Sequence, residues 1–144
     1  MARFLTARGA ASATWAYSHA AIAAGLVFTA GVGPLDPDTD EVVGHDPATQ
    51  TAQALANITA ILDTAGLGLA DVVKVTVYLQ DVARDFEPFD QEYRRHFADP
   101  WPVRTTVGAD LLGILVEIDV VAQLRPDARV PQPENDQQGD TSDR

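Results

Sequence analysis

Two charged residues interrupt apolar segments in the last third of the chain, and together they could bind and process a small carboxylate. Arg104 lies within residues 101–107 (WPVRTTV) and Glu117 within residues 115–121 (LVEIDVV). A guanidinium offers a planar fork of N–H donors to a carboxylate, and a glutamate can accept a proton or orient water. The same two residues could instead form a structural salt bridge between neighbouring strands, and their spacing leaves both interpretations open.

Both segments have the composition of β-strands, because they are rich in β-branched residues and are bounded by Pro or Gly. Side chains alternate between the two faces of a strand, so Arg104 shares a face with Pro102 and Thr106. Glu117 shares a face with Asp119, and the opposite face points into a core and carries Val116, Ile118, Val120 and Ala122. Rigid strands would thus hold both charged groups in fixed positions.

Two helices are indicated by capping residues and apolar stripes. The first is predicted over residues 46–65, because Asp46 is a favoured N-cap and Pro47 suits the first helical position. The second is predicted to begin near Asp85 and cannot continue through Pro100. Its inner stripe has helical spacing and is aromatic: Phe86, Phe89, Tyr93 and Phe97.

The order of elements (strands, helix, strand, helix, two strands) predicts an α+β fold in which both helices pack on one face of a mixed β-sheet. Residues 71–80 form the strand between the helices, and alternation predicts a buried face of Val73, Val75, Val77 and Leu79. The face without helices would then carry mostly polar side chains: Lys74, Thr76, Arg104, Thr106, Glu117 and Asp119. Such a face usually meets water or another subunit.

Size and charge limit the partners of the chain. Its 144 residues suit one domain, predicted over residues 1–124, and residues 125–144 lack periodicity and predict a disordered acidic tail. A net charge of -11 would repel RNA, DNA and anionic membranes, so we expect none of these as partners. The longest apolar run, residues 20–28, is too short to span a membrane, and we expect a cytoplasmic protein.

Several catalytic chemistries lack the residues they need. There is no cysteine for a disulfide, a thiol nucleophile or a metal site, and His19, His45 and His96 lack ligand spacing. These histidines are best interpreted as core or surface residues, and no metal is expected. The sole lysine, Lys74, is interpreted as a semi-exposed strand residue rather than a Schiff-base nucleophile.

Taken in order, several segments between Tyr17 and Leu124 resemble the RidA/YjgF family of imine and enamine deaminases. No single segment is diagnostic, but the ordered set is. The segments are residues 17–20 (YSHA), 26–31 (LVFTAG), 34–37 (PLDP), 50–57 (QTAQALAN), 71–79 (DVVKVTVYL), 102–107 (PVRTTV) and 116–119 (VEID).

The resemblance implies a chorismate-mutase-like (RidA-type) subunit that assembles as a homotrimer with clefts between subunits. It also implies hydrolysis of reactive 2-imino or 2-enamino acids to 2-keto acids and ammonia without a cofactor, a form of metabolite damage control. Arg104 matches the arginine that holds the substrate carboxylate, Glu117 the acid that handles water or a proton, and Tyr17 a tyrosine of the cleft. Thr106, on the face of Arg104, could also touch substrate.

The chain departs from the family pattern at three positions: Ala30 in place of Ser, Thr106 in place of Cys, and Asp90 in place of Asn. These changes alter the walls of the expected site and leave Arg104 and Glu117 in place. The main alternative is a non-catalytic trimer that binds small carboxylates or protects other proteins. A ribonuclease is disfavoured by the negative charge and by the absence of a suitably spaced histidine pair.

Overall fold

The fold is built on one six-stranded mixed sheet. The computed structural model describes residues 1–130. Residues 131–144 lie outside the described part. The strands are β1 (Arg3–Leu5), β2 (Ala20–Ala23), β3 (Leu26–Thr29), β4 (Val72–Leu79), β5 (Val103–Gly108) and β6 (Val116–Gln123). Their order across the sheet is β1-β2-β3-β6-β4-β5, and β4 and β5 run parallel while the other neighbours are antiparallel.

The first helix, α1 (Pro47–Asp63), confirms the sequence prediction to within two residues. The side chain of Asp46 accepts a hydrogen bond of 2.9 Å from the backbone N–H of Thr49, which satisfies one of the free donors of the first turn. Its apolar face is fully buried against the sheet and includes Leu55, Ile58 and Leu62.

The second helix, α2 (Val82–Tyr93), begins three residues earlier than predicted. Asp81 is the N-cap, and its carboxylate accepts a hydrogen bond of 3.1 Å from the backbone N–H of Arg84. The apolar stripe does not reveal this start, because Val82 is exposed and the first inward-facing aromatic residue lies beyond it. Three residues of the predicted stripe, Phe89, Tyr93 and Phe97, are buried in the core, but the prediction is wrong for Phe86, which is 42% exposed.

One prediction about β4 is wrong at its first residues. Val72 is 7% exposed and belongs to the core, whereas Val73 is 42% exposed. The cause is a β-bulge between Val72 and Lys74, which shifts the pairing with β6 and reverses the alternation before it. Beyond the bulge, Val75 and its alternate neighbours are buried as predicted.

The predicted face of Arg104 and Thr106 is also wrong. In the parallel pair of β4 and β5, Arg104 lies beside Val75 and Thr106 beside Val77, and both valines point into the core. Paired residues share a face, so Arg104 and Thr106 lie on the side of the helices. Thr105 lies on the open face instead, where its hydroxyl accepts a hydrogen bond of 2.8 Å from Nζ of Lys74.

The chain continues along the domain beyond residue 124. Arg125 donates a hydrogen bond of 2.6 Å to the carbonyl oxygen of Gly66, at the end of α1. Ala128 and Val130 are partly buried against the core. Residues 125–130, the start of the predicted tail, therefore contact the domain. The prediction of disorder for the remainder falls on residues 131–144, outside the described part. Within residues 1–130, no helix is long and apolar enough to cross a membrane.

Candidate active site around Arg104 and Glu117

Arg104 projects from β5 toward α2, where an acid and aromatic rings fix its side chain. Its Nη1 lies 2.8 Å from Oδ1 of Asp90, and both side chains are largely buried. The guanidinium carbon lies 4.6 Å from the ring centroid of Tyr93 and 5.2 Å from that of Phe89. An ion pair and cation–π contacts together leave little rotational freedom to the guanidinium.

Asp90 bridges two arginines. Its Oδ1 contacts Arg104, and its Oδ2 accepts a hydrogen bond of 2.8 Å from Nε of Arg94. Burial alone would raise the pKa of the Asp90 carboxyl, but the hydrogen bonds and charges of the two arginines outweigh burial and hold it below its usual value. Asp90 is therefore ionised at neutral pH, and the group of three carries a net positive charge.

A cavity of about 260 Å³ opens beside this cluster. Its wall is formed by side chains of α2, of β5 and of the segment before β5: Asp90, Tyr93, Arg94, Trp101, Pro102 and Arg104. The cavity combines flat apolar surfaces with two guanidinium groups, which suits a small organic anion.

Glu117 lies on the opposite face of the sheet. It pairs across the ladder with Tyr78 and packs tightly against the backbone at Gly31. A Cβ at residue 31 would lie 2.9 Å from Cδ and Oε2 of Glu117, so only glycine allows this approach. Burial, and secondarily the charge of Asp119, raise the pKa of the Glu117 carboxyl, which shifts its proton exchange toward neutral pH.

Tyr17 lines a second, smaller pocket. This pocket has a volume of about 40 Å³, and Ala30 and Gly31 contribute to it as well. Gly31 thus connects the surroundings of Tyr17 with Glu117. The cavity beside Arg104 and the pocket of Tyr17 share no lining residue.

The predicted site residues therefore form two groups within one chain. Glu117 packs against Gly31, which lines the same pocket as Tyr17, whereas Arg104 and Thr106 lie on the helix side of β5. The salt bridge between Arg104 and Glu117 considered from the sequence is wrong, because β4 separates β5 from β6 and Arg104 pairs with Asp90.

The structure also shows the roles of two residues that were considered as possible catalysts from the sequence, His19 and Lys74. His19 is buried: Nδ1 accepts a hydrogen bond of 2.8 Å from the N–H of Ala7, and Nε2 lies 2.8 Å from the carbonyl oxygen of Ala11. It holds the N-terminal segment on the sheet, which confirms the interpretation as a core residue. Lys74 is semi-exposed, as predicted. Within residues 1–130, no three His, Asp or Glu side chains are arranged to hold a metal ion.

Asp90 and Tyr93 were not chosen as site residues from the sequence. An exposed helical acid explained Asp90 equally well, and Tyr93 occupied a core position in an aromatic stripe. One signal was present for Tyr93: it is the one tyrosine in a stripe of phenylalanines, with a hydroxyl where packing needs none.

Comparison with known proteins places this arrangement in a family. The family model described as Endoribonuclease L-PSP, which covers RidA and YjgF proteins, matches residues 8–124. This chain belongs to the RidA/YjgF family. Its six-stranded mixed sheet with two helices on one face is the RidA-type, chorismate-mutase-like fold.

Relatives of the chain carry several names. It is 44% identical over 108 residues to a RutC family protein of Pyrococcus horikoshii, which covers 74% of this chain and 85% of that protein. It is 39% identical over 110 residues to Reactive Intermediate Deaminase A, chloroplastic, of Arabidopsis thaliana, covering 75% of this chain and 58% of that protein. The crystal structure of E. coli TdcF with bound serine superposes with a TM-score of 0.76 at 29% identity, covering 84% of this chain and 98% of TdcF.

Proposed function

We propose that this protein is a cofactor-free hydrolytic deaminase that converts reactive 2-imino or 2-enamino acids to 2-keto acids and ammonia. The observation that carries the proposal is Arg104, an oriented guanidinium on the wall of a cavity of suitable size. Membership of the RidA/YjgF family and similarity to a plant reactive intermediate deaminase support the same chemistry.

Arg104 would bind the substrate carboxylate. A guanidinium has five N–H donors, and the contact with Asp90 is made through Nη1. The donors on Nε and Nη2 remain for a bidentate contact with a carboxylate, and this contact would fix the orientation of the imine carbon. Thr106, two residues further along the same face, would contribute a hydroxyl to the same surface.

Glu117 would handle water and protons. In this mechanism water adds to the C=N carbon, Glu117 accepts a proton from that water, and the proton passes to nitrogen. The hydroxyl proton of the resulting amino alcohol then moves to nitrogen, the C–N bond breaks, ammonia leaves, and the 2-keto acid forms. A carboxyl whose pKa is raised by burial is better matched to this exchange than an ordinary surface glutamate.

Arg104 and Glu117 lie on opposite faces of the sheet in one subunit, so a site that contains both would need two subunits. We propose a homotrimer in which Arg104 of one subunit meets Glu117 and Tyr17 of its neighbour. The open face supports this, because its central charged residues are flanked by exposed apolar side chains toward both edges of the sheet. The exposed apolar residues on that face include Phe4, Phe28, Val103 and Val107.

The test couples the protein to an amino-acid oxidase that releases 2-imino acids and follows imine decay by absorbance. The wild type should accelerate decay, and light scattering should give the mass of a trimer. Several amino acids of different side-chain size belong in the assay, because Ala30 and Thr106 change the walls of the site. A wild type that leaves imine decay at its spontaneous rate would refute the deaminase.

A non-catalytic binding function is the alternative. One subunit alone offers Arg104 and its cavity, without Glu117, and this is sufficient to bind a small carboxylate. The alternative predicts binding of 2-oxobutanoate without imine hydrolysis. We do not propose the ribonuclease activity contained in the family's description, because a net charge of -11 opposes the approach of RNA.

A further inference from the structure

Tyr93 on α2 is buried, with only 3% of its surface exposed, yet its hydroxyl has no hydrogen-bond partner among the described residues. A buried hydroxyl without a partner lowers stability, because it loses its bonds to water and gains none. The other three positions of the same stripe hold phenylalanine: Phe86, Phe89 and Phe97. Phenylalanine at position 93 would fill nearly the same volume without this cost.

The acid nearest to Tyr93 binds two arginines and forms no hydrogen bond with the tyrosine hydroxyl. Asp90, one turn earlier on α2, is the acid whose charge acts on Tyr93 together with that of Arg104. Both of its carboxylate oxygens are already engaged, one by Arg104 and one by Arg94. Burial raises the pKa of Tyr93 to about 12, so the group keeps its proton at neutral pH and is available as a donor.

Tyr93 also lies at the site itself. It lines the 260 Å³ cavity, and its ring is the closest aromatic neighbour of the Arg104 guanidinium, at 4.6 Å. The residue that carries the unpaired donor and the residue that carries the guanidinium therefore line one cavity. A carboxylate accepts about four hydrogen bonds, so it can be held by both groups at once.

We propose that Tyr93 is a ligand-binding residue of this site, whose hydroxyl donates a hydrogen bond to the carboxylate that Arg104 holds. The inference rests on the proposed function for the identity of that carboxylate, a 2-imino acid or its 2-keto product. Because the hydroxyl is buried, contact requires a small shift of the cavity wall. Arg94 in that wall is 63% exposed, so its side chain has room to move.

The experiment compares wild type, Tyr93→Phe and the packing control Phe97→Leu. Phe97 stacks on Tyr93 with ring centroids 4.5 Å apart, so its replacement disturbs the packing and keeps the hydroxyl. Three quantities are measured: Tm, kcat/KM for imine hydrolysis, and the Kd for 2-oxobutanoate by calorimetry.

For Tyr93→Phe we expect a higher Tm together with a kcat/KM lower by about tenfold or more and a similarly weaker Kd, since a hydrogen bond to a charged group is lost. For Phe97→Leu we expect a lower Tm with a much smaller change in Kd. A Tyr93→Phe protein with wild-type kcat/KM and Kd would overturn the inference, and so would one with a lower Tm.

The outcome also separates this inference from the deaminase proposal. A wild type that binds 2-oxobutanoate but does not hydrolyse imines would refute the deaminase. A weaker Kd in Tyr93→Phe would still support the inference in that case. An active wild type matched by an equally active Tyr93→Phe protein would overturn the inference alone. A wild type that neither binds nor hydrolyses would overturn both.

Discussion

Replacing Arg104 with alanine should remove most activity and only a modest part of the stability. The stability loss comes from the cation–π contact with Tyr93 and the ion pair with Asp90, roughly 1 kcal/mol each. Asp90 is not left unpaired, because Arg94 still binds its Oδ2 at 2.8 Å. We therefore expect Tm to fall by several degrees while the assembly persists. The loss of a charge-assisted bidentate contact with substrate should cost about 3 kcal/mol, on the order of a hundredfold in kcat/KM.

The assay measures kcat/KM for imine hydrolysis well below the Tm of every variant, together with Tm and mass. Arg104→Lys should recover part of the stability but little activity, because an ammonium cannot reproduce the planar fork. The matched control is Arg95→Ala, which removes an exposed arginine 3.7 Å from Glu92 and should change neither quantity. A folded Arg104→Ala protein with near-normal activity would refute the reasoning, as would full recovery of activity by lysine.

The remaining predictions concern Glu117, Gly31 and the first helix cap. Because the pKa of Glu117 is raised in the folded state, this group stabilises the fold below the unfolded pKa and loses that contribution as pH rises through the folded pKa. Glu117→Gln should therefore be more stable than wild type at pH 7, and titration of Tm against pH should show the difference vanish in acid. The same variant should lose activity, and its remaining rate should no longer fall in acid, because Glu117 would be the group whose protonation causes that fall. An unchanged acid limb of the pH–rate profile would show that another group causes it. Gly31→Ala should lower activity by displacing the Glu117 carboxyl, which would lie 2.9 Å from the new Cβ, and wild-type kcat/KM would contradict this. Asp46→Ala should cost about 1 kcal/mol in urea unfolding without changing kcat/KM, because it removes only the cap of α1.

The sequence was sufficient for the fold wherever local chemistry decides the structure. Asp46 and Pro47 define the start of α1 because capping depends on neighbours within one turn. The start of α2 was less accurate, because Val82 is exposed and carries no periodic signal. The prediction of which β4 side chains face the core was wrong only near Val72, where a bulge breaks the alternation. One extra residue in a ladder cannot be recognised from the apolar pattern.

The geometry of the candidate site could not be predicted from local sequence patterns, because it depends on tertiary structure. Alternation correctly placed Arg104 and Thr106 on one face of β5, but which face it is depends on the register between β5 and β4. That register is a tertiary property, and it places Arg104 beside Val75, under α2. The partnership with Asp90 follows from the same register. Family resemblance suggested Arg104 and Glu117 as site residues without information on their geometry, which is why their separation over the two faces was not foreseen.

The central claim is that each site takes Arg104 from one subunit and Glu117 from its neighbour. Mixing Arg104→Ala and Glu117→Gln proteins, each inactive alone, after dissociation and reassembly tests it most directly. In mixed trimers some interfaces combine an intact Arg104 with an intact Glu117, so activity should return to about a quarter of the wild-type value, as expected for random subunit exchange around a closed ring. If both residues acted within one subunit, no mixed trimer could contain a complete site, and activity that stayed at the level of the separate variants would contradict the account.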